Sequence, residues 1–251
     1  MTMTYNPYSL GGKTILVTGA SSGIGKATAI ECSKLGAKVV VTARNKERLE
    51  QTMSMLEGDG HIMIISDLAD IESLGQLVEQ LPVIIGFSYN VGIACIKPVV
   101  FYKEKDIQSV MQTNAVAAAM LTKSCVKSKK LAKSASLVFT SSIEGPFGTG
   151  MGNGVYGMSK AALSAFVKTA ALELSAKGIR CNTINPGMVK TPLITSGEIS
   201  DEQLQLDAQK YPLGRYGEPQ EVALATTYLL SDAAAWITGT ELKIDGGISL
   251  L

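Results

Sequence analysis

One histidine (His61) and one tryptophan (Trp236) occur in 251 residues, and aromatic residues make up only 6% of the chain. With a single imidazole, a zinc site or a histidine-based triad has almost nothing to work with, and no metal site is expected. Acid–base chemistry then falls to a carboxylate, a lysine, a tyrosine or a cysteine. The four cysteines, Cys32, Cys95, Cys125 and Cys181, are scattered and form no C-x-x-C pair, so they read as buried structural thiols. Charge of one sign is also missing: 23 basic and 22 acidic residues leave a formal net charge of +1. Without a basic stripe or an acidic tail, nothing would draw in nucleic acid or an anionic membrane. No apolar run reaches the roughly 18 residues of a membrane span. The first residues lack a charged-then-apolar leader pattern, so a cytoplasmic protein is expected.

What is present is an alternation. Short apolar runs at Thr14–Val17, Lys38–Thr42, His61–Ser66, Val83–Tyr89, Ser136–Thr140, Ile179–Ile184 and Glu241–Ile244 are separated by segments of helical period. Strands this apolar must be covered on both faces, which predicts an α/β fold with a doubly wound parallel sheet of Rossmann type. Ligands in such folds bind at the carboxyl ends of the strands. No linker or repeat divides the chain, so residues 1–251 are expected to form a single domain. The irregular stretch 188–217 carries a polar segment, Ser200–Lys210, able to form a helix, and is expected to act as a substrate lid.

Thr18-Gly19-Ala20-Ser21-Ser22-Gly23-Ile24-Gly25 lies between the first strand and the first helix. Glycines allow a tight turn and close approach of a pyrophosphate, and a helix N-terminus offers free N–H groups. The strand–turn–helix setting makes this a nucleotide-binding turn rather than an ordinary one. At the end of the second strand, Ala43 presents no carboxylate to repel a 2′-phosphate, and Arg44 offers a forked cation to bind one. NADP(H) is therefore favoured over NAD(H), the alternative being that Arg44 is a solvated charge at a helix start. Asp67, followed by Leu68, is placed to accept from an adenine amino group or, alternatively, to cap the helix that begins near Ile71.

Tyr156-Gly-Met-Ser-Lys160 opens an Ala-rich helical segment, so the phenol and the ammonium share one helix face. A nearby ammonium is expected to lower the phenol pKa and make Tyr156 a proton-transfer group. Ser142, 14 positions before Tyr156, follows the fifth strand and is placed to orient a substrate oxygen, with Ser141 as the competing assignment. Asn114 sits in an otherwise apolar helix, Val110–Leu121, where an amide suits a buried task such as bending the helix around a water. Asn185-Pro186-Gly187, with Thr191 beyond, would lie against a nicotinamide.

Taken together, these residues resemble the short-chain dehydrogenase/reductase family, from Lys13 to Leu251. The resemblance implies a catalytic tetrad of Asn114, Ser142, Tyr156 and Lys160, with Lys160 also binding the nicotinamide ribose and Asn114 holding a relay water. It implies cofactor contacts from the glycine turn, Arg44, Asp67, Leu68, Asn90, Gly92, Pro186, Gly187, Val189 and Thr191. The stretch from Pro212 through Trp236 to Gly247 is similar to bacterial 3-oxoacyl-acyl-carrier-protein reductases, which implies carbonyl–alcohol interconversion, an acyl-thioester substrate and a homotetramer. A sugar or other small polar substrate, and a non-catalytic nucleotide sensor, are the alternatives. The chain departs from the family at Tyr89-Asn90-Val91-Gly92, where Asn-Asn-Ala-Gly is common, and Tyr89 and Val91 are expected to alter packing near the cofactor. Residues 149–154 are glycine-rich and expected to form a mobile substrate mouth. Lys129, Lys130 and Lys177 are the candidates for docking a carrier protein.

Overall fold

The computed structural model describes residues 5–195 and 200–251. Its strands are β1 (Thr14–Thr18), β2 (Lys38–Ala43), β3 (Ile62–Ile65), β4 (Ile84–Tyr89), β5 (Leu131–Thr140), β6 (Arg180–Pro186) and β7 (Glu241–Ile244). They form one sheet in the order β3-β2-β1-β4-β5-β6-β7, with every pairing parallel. The helices are α1 (Gly23–Lys34), α2 (Lys46–Met53), α3 (Ile71–Gln80), α4 (Glu104–Met111), α5 (Ala117–Lys127), α6 (Gly154–Leu174), α7 (Pro192–Thr195), α8 (Asp201–Ala208) and α9 (Pro219–Leu230).

Alternation along the strands explains the two-sided cover. In β1, Leu16 turns to one face while Ile15 and Val17 turn to the other; in β5, Leu137 and Phe139 oppose Val138. The first face is closed by Leu74 and Leu77 of α3, Leu121 of α5 and Leu163 of α6. The second is closed by Ala29 of α1, Leu49 of α2, and Val222 and Leu229 of α9. Strand order reverses between β1 and β4, so the crevice at the carboxyl ends of these two strands is the natural ligand position.

Element boundaries differ from expectation in two informative places. β5 begins five residues before Ser136, through a polar stretch that includes Lys133 and Ser134. Ser134 has a left-handed φ of 59°, and the β4–β5 register shifts between Ile84 and Gly86. This irregular start lacks the apolar alternation that marks a strand in sequence. The second difference concerns Asp67, which does not cap α3; Asp70 does, accepting from the Glu72 amide at 3.0 Å. Asp67 instead closes a local turn by accepting from the Ala69 amide at 3.0 Å.

Candidate active site

The glycine turn is as tight as its residue types allow. Gly19 has φ +63° and Gly23 φ +52°, and a Cβ on Gly25 would lie 2.3 Å from the Gly19 carbonyl oxygen. Ser22, the residue before α1, makes no side-chain cap, leaving first-turn N–H groups to face an anion. Ser21 and Ile24 flank this end, Ile24 with its side chain against the core. A Cβ on Gly23 would meet the Thr191 side chain at 3.1 Å, so the segment after β6 folds back over the turn. The open glycine backbone and the first-turn N–H groups suit a dinucleotide phosphate.

Asn90 ties the floor of the crevice together. Its amide nitrogen donates to the Thr18 carbonyl at 3.2 Å, and its Oδ1 accepts from the Thr140 hydroxyl at 2.7 Å, linking the ends of β1, β4 and β5. The departures at Tyr89 and Val91 do not crowd the turn. Tyr89 is fully buried and donates to the Thr113 carbonyl at 2.6 Å, while Val91 packs against the same helical layer.

At the ends of β2 and β3, Arg44 and Asp67 face each other, with Nη1 and Oδ2 3.6 Å apart. Both side chains are substantially exposed, so this pair is weak and leaves the guanidinium available. Leu68 is buried in the core, which leaves its backbone as the part able to meet a ligand.

On the catalytic side, α6 carries Tyr156 half-buried and Lys160 buried on one face. Lys160 Nζ donates to the Thr140 carbonyl at 2.9 Å and lies 5.6 Å from the centroid of the Tyr156 ring. The Ser142 hydroxyl acts on the Tyr156 phenol, favouring its ionised form. Ser141 is turned away, its hydroxyl donating to the Lys160 carbonyl at 3.1 Å beside Ser164, so geometry selects Ser142 over Ser141.

The expected lowering of the phenol pKa is not found. Tyr156 is raised above the ordinary tyrosine value, chiefly by burial, with the Glu144 charge adding and the Ser142 hydroxyl opposing. Lys160 approaches the ring and is anchored on Thr140, while burial pushes its own pKa down to about 8. With its pKa raised, the Tyr156 phenol stays protonated at neutral pH.

Asn114 does mark a helix irregularity: residues Gln112–Val116 form a π-helical turn between α4 and α5. Its side chain is held by protein groups. Oδ1 accepts from the Ile93 amide at 2.8 Å, and Nδ2 donates to the Ile93 carbonyl and to Ser159 Oγ, both at 2.9 Å. Ser159 in turn donates to the Tyr156 carbonyl at 2.7 Å. Asn114 therefore clamps the segment after Gly92 onto the helix turn that carries the phenol.

Ser159, Thr140 and Glu144 were not singled out in sequence, although Ser159 stands within the Tyr156–Lys160 spacing. Pro186 accepts from the Ile143 amide at 3.1 Å, Gly187 donates to the Ile244 carbonyl at 3.0 Å, and Val189 is buried. Residues 149–154 are tied down: the Gly150 amide donates to Glu144 at 3.0 Å, and the Gly152 carbonyl accepts from the Lys97 amide at 3.0 Å.

A family model described as enoyl-(acyl carrier protein) reductase matches residues 19–249. A 3-oxoacyl-acyl-carrier-protein reductase of Rickettsia felis is 33% identical over 96% of this chain and 99% of its own. A solved short-chain dehydrogenase/reductase variant from Serratia marcescens superposes with TM-score 0.87 at 28% identity, covering 97% of this chain and 100% of that one. The chain belongs to the short-chain dehydrogenase/reductase family. It is an oxidoreductase of that family, with a Rossmann-type parallel sheet and a nicotinamide cofactor. A tropinone reductase homolog of Arabidopsis thaliana is also similar, 34% identical over 97% of this chain and 92% of its own. Among the described residues no helix is long and apolar enough to cross a membrane.

Proposed function

We propose that this short-chain dehydrogenase/reductase is an NADPH-dependent carbonyl reductase in which Tyr156 protonates the nascent alcohol oxygen. The observation that carries this reading is the convergence of Tyr156, Ser142 and Lys160 at the carboxyl end of the sheet. A bound nicotinamide supplies the hydride from its C4 position. Ser142 holds the substrate oxygen beside the phenol, and the buried Lys160 ammonium stabilises the charge left there as the proton moves. Asn114 keeps the phenol-bearing turn in place. The cofactor would be held by Gly19, Ser21, Ser22, Gly23, Ile24 and Gly25 at its phosphates, by Asp67 and the Leu68 backbone at the adenine, and by Lys160 at the ribose. Asn90, Gly92, Pro186, Gly187, Val189 and Thr191 would complete the nicotinamide side, under residues 188–217 as a lid, of which 196–199 lie outside the described residues. The test is cofactor consumption with a β-ketoester, a sugar panel and no substrate, each with NADPH and NADH. Tight NADPH binding with turnover on nothing would instead indicate a sensor.

Arg44 is the basis for the choice of cofactor. A charge-assisted, forked contact contributes about 2 kcal/mol, so Arg44→Asp should raise the KM for NADPH roughly thirtyfold and leave that for NADH little changed. Steady-state kinetics with the two cofactors check it, and a parent enzyme that prefers NADH would remove the role given to Arg44.

The pH profile follows from the two perturbed groups. Reduction needs the phenol protonated, and the raised Tyr156 stays so through neutrality. Lys160 is the group expected to titrate on the alkaline side. The kcat for reduction should be flat around neutrality and fall as pH rises through about 8, where Lys160 loses its charge. A profile flat well beyond that point would contradict the role of Lys160.

For the substrate, the curated relatives support a 3-oxoacyl thioester. A carrier protein, however, would find Lys129 and Lys130 just before β5 and Lys177 just before β6, at the amino ends of these strands and away from the cleft. Lys130 is also engaged with the Glu79 and Leu81 carbonyls. A half-buried carboxylate at the mouth, Glu144, favours a small polar carbonyl compound. A cytoplasmic homotetramer is part of this reading, supported by the open sheet edge at β7 and by Trp236, which is 99% exposed; light scattering tests the assembly.

A further inference from the structure

The last residue of β4 carries a buried phenol that leaves the sheet and ends on an irregular helix turn. Tyr89 pairs in register with Phe139 of β5, so its backbone is fixed in the middle of the sheet. Its ring is fully buried, 6.4 Å from the Phe139 ring between centroids, and its hydroxyl donates to the Thr113 carbonyl at 2.6 Å. Burial raises the phenol pKa, so the hydroxyl keeps its proton throughout the neutral range.

Thr113 belongs to the π-helical turn Gln112–Val116. Turns of this kind are rare, interrupt the ordinary i→i−4 ladder and recur at functional sites. A buried phenol needs an acceptor and a buried carbonyl needs a donor, and Tyr89 and Thr113 satisfy one another. The first three residues of the turn each hold a different part of the cleft. Gln112 Nε2 donates to the Ala69 carbonyl at 3.0 Å, in the segment that follows Asp67 and Leu68. Thr113 takes the phenol that comes from the sheet. Asn114 grips Ile93 and Ser159, and through Ser159 the helical turn that bears Tyr156. The rigid sheet therefore reaches the Asn114 clamp through one side chain.

We propose that Tyr89 is a positioning residue for the reaction, a strut that sets the π-helical turn so that Asn114 holds Ile93 and the Tyr156 turn in their reactive arrangement. This rests on Tyr156 being the proton-transferring residue. Asparagine, common at this position in the family, stops well short of the place occupied by the phenol oxygen, so the strut belongs to this chain's own departure from the pattern. A misplacement of about 1 Å in a reacting group costs on the order of a hundredfold in rate. Loosening one support of the clamp, with the others kept, should cost less.

The test is Tyr89→Phe, which removes the donor and keeps the ring in the core. It should lower kcat about tenfold, with KM for NADPH within about twofold and the melting temperature within about 4 °C of the parent's. The Ile93 amide, which donates to Asn114 Oδ1 at 2.8 Å, should exchange its hydrogen about tenfold faster by NMR, while the buried Leu16 of β1 keeps its rate. Asn114→Ala should cost more than Tyr89→Phe, and the double variant should be no slower than Asn114→Ala alone, because the phenol acts through that amide. Unchanged kcat or unchanged Ile93 exchange overturns the proposal, and so do additive losses, which would mark two independent supports. A larger fall in melting temperature, or failure to fold, overturns it as well, since Tyr89 would then be a core pillar. Exchange needs no turnover: faster Ile93 exchange in a protein whose parent reduces no carbonyl would uphold the link from Tyr89 to Asn114 and count instead against the Tyr156 mechanism.

Discussion

Tyr156→Phe should lose about a thousandfold in kcat, within the range that a positioned general acid contributes, while NADPH affinity changes by no more than about twofold. The substitution removes one oxygen from a half-buried ring and leaves the ring packing, Lys160 and the Ser159 contact to the Tyr156 carbonyl in place. Ser142 loses its phenol neighbour but still accepts from the Glu144 amide at 3.1 Å, so the loop should keep its shape. Fluorescence titration of NADPH beside single-turnover kinetics separates binding from chemistry. A variant retaining a tenth or so of parental kcat would show that another group delivers the proton.

Lys160→Met should cost two to three orders of magnitude in kcat, the scale of losing a preorganised charge beside a developing anion. Stability should respond quite differently. Lys160 is 4% exposed, and burial depresses its pKa to about 8, so folding works against its charge. A methionine of similar length fills the space without that penalty, which offsets much of the cost of leaving the buried Thr140 carbonyl without its Lys160 donor. The melting temperature should therefore stay within about 4 °C of the parent's, a shift of one to two kcal/mol in a chain of this size. Calorimetric unfolding at neutral pH, alongside kcat, measures both. Collapse of stability together with activity would mean that Lys160 is chiefly a structural strut.

These two outcomes express a single design: groups unfavourable for folding are retained where they serve the chemistry. The buried ammonium of Lys160 and the amide of Asn114 inside a helix both fit this pattern. Each breaks a local rule of helix or core composition, which is why both were legible in sequence. Asn114 stood out as an amide in an apolar helix, and Lys160 by its helical spacing from Tyr156. Glu144 did not, because a carboxylate in a polar loop breaks no local rule.

The fold class was legible for a simple reason. Strands covered on both faces have to be apolar throughout, and the glycines of the turn after β1 have to be glycines, since a Cβ at Gly25 would strike the Gly19 carbonyl at 2.3 Å. Requirements of this kind act between near neighbours in the chain and leave a local record. The start of β5 left none, because its irregular first half pairs with β4 through a shifted register.

By itself, the amino-acid order determined the parallel sheet, the nucleotide turn and the candidate set of Asn114, Ser142, Tyr156 and Lys160. Only the tertiary structure decided between Ser142 and Ser141, turned the expected pKa shift of Tyr156 upward, and set Glu144 beside the phenol. Those outcomes depend on which way a side chain points and how much water reaches it. Both are properties of several distant segments brought together, as when Gly145 meets Gly157, and no single stretch of chain encodes them.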